Sequence, residues 1–100
     1  MIVLVLDAGT EAGSRLARKL LRDGHRVAIS SRLATDLVPI MHGHPASRVL
    51  AVAADPDDPA QLTRLHARVR DYFGVDRLYT VASPTDVDGN VAATHFAMSA

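Results

Sequence analysis

The chain has 100 residues, a length that suits one domain with a thin core. Apolar residues make up 48 % of it and charged residues 22 %, a mixture typical of a globular protein and not of a disordered one. The 11 acidic side chains balance the 11 basic ones, which argues against nucleic acid or an acidic membrane as partner. We expect one domain over residues 1–100.

The sequence contains no cysteine, which excludes disulfides, thiolate metal sites and cysteine nucleophiles and suits a reducing cytoplasm. The apolar run at residues 2–6 has no basic segment before it and ends at Asp7. It is too short for a signal peptide or a membrane span. We therefore expect a cytoplasmic location without membrane insertion.

Strand and helix signals alternate from the start of the chain. Residues 2–6 form a continuous aliphatic run, which is typical of a parallel strand covered on both faces. Small and apolar residues then recur at helical spacing over residues 13–21, and Gly24 ends that helix. A second strand is expected at residues 27–29.

The stretch at residues 33–47 contains Pro39 and a loop-like segment at residues 42–45, so we expect a helix of about two turns at most there. Residues 49–54 are again a continuous apolar run. They predict a third buried strand.

The next helix begins with Asp58 as its cap and Pro59 in its first turn, and it ends at Gly74. A fourth strand is expected at residues 78–82, and apolar residues at helical spacing predict a last helix at residues 84–100. Alternation of this kind predicts right-handed crossovers and a doubly wound parallel sheet with helices on both faces.

This order of elements resembles the N-terminal half of the short-chain dehydrogenases/reductases over essentially the whole chain. In that family the first strand runs into a loop written Thr-Gly-x-x-x-Gly-x-Gly, whose glycines let the backbone approach the cofactor pyrophosphate. The resemblance implies an α/β fold with a truncated, Rossmann-like parallel sheet of four strands in the order 3-2-1-4.

Two alignments to the glycine motif are open. A count without gaps places Gly13 on the third glycine, so Asp7 and Glu11 fall on the first and second. The alternative uses Gly9 and Gly13 as the Gly-x-x-x-Gly pair and places Arg15 on the third glycine. In the first alignment two carboxylates face a doubly charged pyrophosphate, which weakens binding.

Three further residues match the cofactor side of the family. The resemblance implies that Arg32 contacts a 2′-phosphate, which indicates NADP, and that Asp55 approaches the adenine ring. Ala82 alone is kept from the family's Asn-Asn-Ala-Gly sequence. A solvated arginine and a turn aspartate remain alternative interpretations. The candidate cofactor-binding residues are Gly9, Gly13, Arg32, Asp55 and Ala82.

No catalytic residue is predicted. The family's chemistry needs a tyrosine with a lysine four residues later, and the resemblance places this pair in the half of the fold that the chain does not contain. Neither Tyr72 nor Tyr79 has such a lysine. No metal is expected, since His42 and His44 have no third ligand near them in the sequence. We therefore expect the chain not to be an enzyme.

Two functions remain open. The first is a non-catalytic interaction module or pseudoenzyme, an accessory subunit of a homo-oligomer or larger complex, with no cofactor expected. It would bind a protein partner, or a second copy, through an open edge at the fourth strand and the helix at residues 84–100. The alternative is an NADP(H)-binding dehydrogenase-like protein, either a cofactor sensor or part of an NADP-dependent oxidoreductase completed by another chain.

Overall fold

A computed structural model describes residues 2–81 and 96–99. It contains five strands, β1 (Ile2–Val5), β2 (Arg26–Ser31), β3 (Val49–Ala53), β4 (Leu78–Val81) and β5 (Phe96–Ser99). The helices are α1 (Glu11–Arg22), α2 (Val38–Met41) and α3 (Pro59–Phe73), and a 3-10 turn (Ala34–Leu37) precedes α2.

The strands form one sheet in the order β3-β2-β1-β4-β5. The first four are parallel, with Leu4 of β1 paired to Ala28 on one side and to Thr80 on the other. The predicted parallel sheet of four strands in the order 3-2-1-4 is therefore confirmed.

The prediction that β4 lies at an open edge is wrong, because β5 pairs with β4 antiparallel. Residues 96–99 of the predicted helix thus form a strand, and residues 82–95 lie outside the described part of the chain. This pairing satisfies backbone groups that β4 would otherwise leave open, a long-range effect that helical spacing does not reveal. The partner surface predicted on β4 and residues 84–100 stays a prediction.

Side chains of β1 alternate between two cores. Val3 and Val5 have no exposed surface and pack with Leu21 of α1 on one face of the sheet. Leu4 points to the other face, in the cluster that contains Leu65 of α3. Burying a side chain of this size contributes about 2 kcal/mol relative to exposing it. The central strand is therefore fixed from both faces, and its carboxyl end is held in place.

The ends of α3 follow the sequence signals. Asp58 accepts hydrogen bonds from the amides of Ala60 and Gln61 at 3.0 and 3.4 Å. Gly74 ends the helix with φ at 67°, in the left-handed region that favours glycine. Both predicted helix boundaries are confirmed.

The cap of α3 predicts a pH dependence of stability. A side-chain hydrogen bond from Gln61, followed by the amides of Ala60 and Gln61, holds the pKa of Asp58 below its usual value. Because the folded pKa is the lower one, the cap stabilises fully above the unfolded pKa of about 3.9 and is lost as the pH falls through the folded pKa.

We expect the thermal midpoint of the wild type to fall more steeply in this acid range than that of Asp58→Asn. Asparagine keeps the cap and does not titrate. Thermal melts followed by circular dichroism at a series of acid pH values measure the difference. Parallel curves for the two proteins would show that the cap carboxylate contributes nothing to acid sensitivity.

Candidate functional site

The loop after β1 turns sharply at Asp7. Its start is held between two strands, since the amide of Leu6 donates to the Val81 carbonyl at 3.0 Å and the amide of Ala8 donates to the Ser30 carbonyl at 2.9 Å. Asp7 has φ at 55°, in the left-handed region where glycine is favoured and aspartate is tolerated. The backbone here thus has the shape that a glycine loop would adopt.

Gly13 lets α1 begin directly against this turn. Thr10 caps the helix, and its hydroxyl accepts from the Gly13 amide at 3.0 Å while it donates to the Asp7 carbonyl at 2.8 Å. A Cβ at Gly13 would lie 2.3 Å from the Asp7 oxygen and 2.9 Å from the Ala8 Cα. Glycine is therefore required for the close contact, which is the role of the third glycine in dinucleotide-binding turns.

Gly9 brings the same loop against the end of β2. A Cβ on Gly9 would lie 2.8 Å from the Ser31 hydroxyl oxygen and 2.9 Å from the Asp36 Cβ. The Ser31 hydroxyl donates to Oδ2 of Asp36 at 3.3 Å, which links the end of β2 to the 3-10 turn. Three segments thus meet at the carboxyl edge of the sheet.

A cavity of about 400 Å³ lies at this meeting point and is lined by Asp7, Gly9, Thr10, Ser31, Arg32, Leu33 and Asp36. It sits beyond the carboxyl ends of β1 and β2. The chain passes from β1 to β2 on one side of β1, and it crosses from β3 to β4 on the other side. The strand order therefore switches direction at β1. Ligands of open α/β sheets bind outside the carboxyl ends of the strands, next to such a switch point, and this pocket lies on the β2 side of it.

Arg32 is bound to two carboxylates at the rim of this pocket. Its Nε lies 3.3 Å from Oδ1 of Asp55, and its Nη2 lies 2.6 Å from Oδ2 of Asp57. The Asp57 amide also donates to Oδ1 of Asp55 at 2.9 Å. The two predicted cofactor-side residues, Arg32 and Asp55, are therefore in direct contact with each other.

The two acidic residues of the loop differ in their surroundings. Asp7 is half-buried and lines the pocket. Glu11 is exposed at the start of α1, and its Oε1 accepts from Arg15 Nη2 at 2.5 Å. The negative charge of Asp7 therefore lies at the pocket, whereas Arg15 partly neutralises that of Glu11.

The predicted site residues come together only in part. Gly9 and Arg32 line the pocket, Asp55 contacts Arg32 at the rim, and Gly13 packs behind the loop. Ala82 lies outside the described residues. The pocket adds residues that the sequence analysis did not select: Thr10, Ser31, Leu33 and Asp36. A cofactor role for each of these residues stays a prediction.

A sequence signal existed for two of the added residues. Thr10 stands directly before the first helix, where a capping residue is expected. Asp36 follows Gly13 by roughly the 20 residues that separate a glycine loop from a ribose-binding acid. This spacing was not recognised because Asp36 lies in a 3-10 turn beyond the end of β2.

His66 contacts both α3 and β4 through its ring nitrogens. His66 is half-buried, with Nδ1 2.9 Å from the Leu62 carbonyl oxygen and Nε2 3.1 Å from the Thr80 hydroxyl. Among residues 2–81 and 96–99, no three acidic or histidine side chains are grouped to hold a metal ion. The helices of this part are also too short or too polar to cross a membrane.

No protein-family model matches this sequence, and no curated protein matches it. Solved structures do. A 3-ketoacyl-(acyl-carrier-protein) reductase from Brucella melitensis, in complex with NADH, has 28 % identity and a TM-score of 0.66, over 75 % of this chain and 31 % of its own. A short-chain dehydrogenase from Streptomyces avermitilis has 25 % identity and a TM-score of 0.68, over 75 % and 28 %.

A sorbitol-6-phosphate 2-dehydrogenase from Erwinia amylovora is also similar, with 24 % identity and a TM-score of 0.66, over 76 % of this chain and 30 % of its own. The chain spans about a third of the length of these structures. The matches are consistently short-chain dehydrogenases/reductases, and the coverage is that of an N-terminal half. The resemblance found in the sequence is confirmed.

These matches correct two expectations. The prediction that the chain is not an enzyme is wrong, because the matching structures are short-chain dehydrogenase/reductase oxidoreductases and point to an enzyme family. The expectation that no cofactor binds has no support, since the neighbour from Brucella melitensis holds NADH. The fold is a Rossmann-type, NAD(P)-binding fold, and an accessory role is not shown.

Proposed function

We propose that this chain is the dinucleotide-binding part of a short-chain dehydrogenase/reductase-type oxidoreductase, using NAD(H) or NADP(H). The observation that carries the proposal is the 400 Å³ pocket, which the loop after β1 and the end of β2 form at the carboxyl edge of the sheet. The similarity to an NADH-bound reductase supports it. The absence of cysteine supports a reducing cytoplasm as its compartment.

The residues present fit the adenosine side of a dinucleotide. A Cβ at Gly9 would reach the pocket wall, so glycine keeps the loop close to the end of β2. Thr10, the N-cap of α1, lines the pocket, so the helix begins beside it, and a helix N-terminus favours phosphate. Ser31, Arg32 and Asp36 supply hydrogen-bonding groups for a ribose.

The chemistry of the bound group would be the gain or loss of a hydride on its nicotinamide ring. The residues of this chain bind and orient that group. Asp7 lines the same pocket, so its negative charge opposes the phosphates. We therefore expect a weak dinucleotide site, and not an abolished one.

Calorimetric titration of the chain with NADH and with NADPH tests the proposal. We expect saturable binding of at least one of them, in the range of tens of micromolar to millimolar dissociation constants. A Gly9→Val variant should lose this binding, because its side chain would enter the pocket wall at Ser31 and Asp36. An absence of heat and of any thermal shift at millimolar concentrations of both dinucleotides would refute the proposal.

A further inference from the structure

The guanidinium of Arg32 is engaged on two sides by the loop between β3 and α3. Nε faces Asp55 at 3.3 Å and Nη2 faces Asp57 at 2.6 Å. The loop is itself fixed, since the Asp55 amide donates to Oε1 of Gln61 at 2.9 Å. The Arg32 guanidinium is therefore paired with this loop and is not a free cation over the pocket.

The lining of the pocket also contains acidic residues. The Asp36 carboxylate accepts from the Ser31 hydroxyl at 3.3 Å, and a Cβ added at Gly9 would lie 2.9 Å from the Asp36 Cβ. Asp7 lines the same cavity, and Arg32 is the one basic side chain among the lining residues. The site thus contains four carboxylates, two in the lining and two paired with Arg32, and a single guanidinium.

This charge pattern discriminates between two groups that a dinucleotide can present here. A ribose hydroxyl donates to a carboxylate, so Asp36 favours it. A 2′-phosphate is repelled by the carboxylates, and it must compete with Asp57 for the Nη2 atom of Arg32. The family resemblance alone implied the reverse, an Arg32 available for the 2′-phosphate.

We propose that Asp57 sets the cofactor preference of this pocket by holding the Arg32 guanidinium at the rim, so that the pocket takes NADH in preference to NADPH. This inference rests on the proposed function. Asp57 is a specificity-determining residue that acts through Arg32. Asp57 does not itself line the pocket. Among the described residues its side chain contacts the lining residue Arg32, and its amide donates to Asp55 in the same loop.

The expected effect is modest because the pair is exposed. The side chain of Arg32 is 59 % exposed and that of Asp57 is 80 % exposed, and such pairs are weak. Removing the Asp57 charge releases Arg32 and also removes one repulsion. We expect NADPH to bind about three- to tenfold more tightly to Asp57→Asn and NADH to change less than about twofold.

The test is a set of titrations with NADH and NADPH at low ionic strength. The proteins are the wild type, Asp57→Asn, Arg32→Ala and the double variant, with Asp76→Asn as the matched control. Asp76 is an exposed aspartate that does not line the pocket. We expect the wild type to prefer NADH, and Asp57→Asn to shift the ratio of the two dissociation constants toward NADPH only when Arg32 is present.

The outcomes separate the two proposals. An unchanged ratio in Asp57→Asn, an equal shift in the Arg32→Ala background, or an equal shift in Asp76→Asn would overturn the role of Asp57 while dinucleotide binding stands. A wild type that prefers NADPH would also overturn it. If neither dinucleotide binds to any of the proteins, the proposed function fails, and this inference fails with it.

Discussion

Replacing Gly13 with alanine is expected to lower the free energy of unfolding by about 3 kcal/mol. Alanine in place of glycine inside a helix would by itself stabilise by about 1 kcal/mol. The contact outweighs that gain, because the new Cβ would lie 2.3 Å from the Asp7 carbonyl oxygen. That oxygen belongs to the backbone and accepts from Thr10, so it cannot move aside cheaply. Urea titration followed by circular dichroism measures the loss.

Gly24→Ala is the matched control for this prediction. Gly24 has φ at 92°, but a Cβ there would have no atom within 4 Å. Only backbone strain opposes the alanine, and we expect a loss of about 1 kcal/mol. Equal losses in the two variants would show that the loop and α1 are not packed as closely as described.

Replacing Asp7 with asparagine is expected to tighten NADH binding about ten- to a hundredfold. Asparagine keeps the size of the side chain and tolerates the φ of 55°. A like-charge pair about 5 Å apart at an effective dielectric of about 20 costs on the order of 3 kcal/mol, and screening by solvent reduces this. Calorimetric titration of both proteins with NADH measures the change.

Glu11→Gln removes the same charge from the same loop region and serves as the control. Its carboxylate is exposed and paired with Arg15, so we expect NADH affinity to change less than about threefold. A gain at Glu11 equal to that at Asp7, or no gain at Asp7, would contradict the placement of the phosphates beside Asp7.

Much of the fold was predictable because it depends on local signals. The aliphatic runs gave the four parallel strands, and Asp58 and Gly74 marked the ends of α3 through capping, which involves only near neighbours. β5 was missed because only its pairing with β4 distinguishes residues 96–99 as a strand, and no local signal in the sequence marks that pairing. Apolar spacing in residues 84–100 fitted a helix equally well.

The site was less predictable than the fold. Gly13 was found from the sequence because it matches the family's glycine motif, and the close packing of α1 on the loop explains why glycine is needed there. The ion pairs of Arg32 were not, since they depend on how two crossover loops meet at the sheet edge. Asp36 lies in a 3-10 turn, and no periodic pattern in the sequence predicts where such a turn runs.

The error about enzyme function has a simple origin. The missing tyrosine and lysine pair led to the prediction that the chain is not an enzyme. The chain spans about a third of the length of the matching structures, so the pair is not informative within it. The carboxylates at positions 7 and 11 were also given equal weight, although only Asp7 lines the pocket.

The most direct test is to follow the backbone amide resonances of the ¹⁵N-labelled chain during a titration with NADH. We expect the amides of Gly9, Thr10, Ser31 and Arg32 to shift together and saturate. Those of Tyr72 and Gly74, at the C-terminal end of α3, should stay in place. Saturating shifts confined to residues outside the pocket, or no shift at millimolar NADH, would contradict the proposed dinucleotide site.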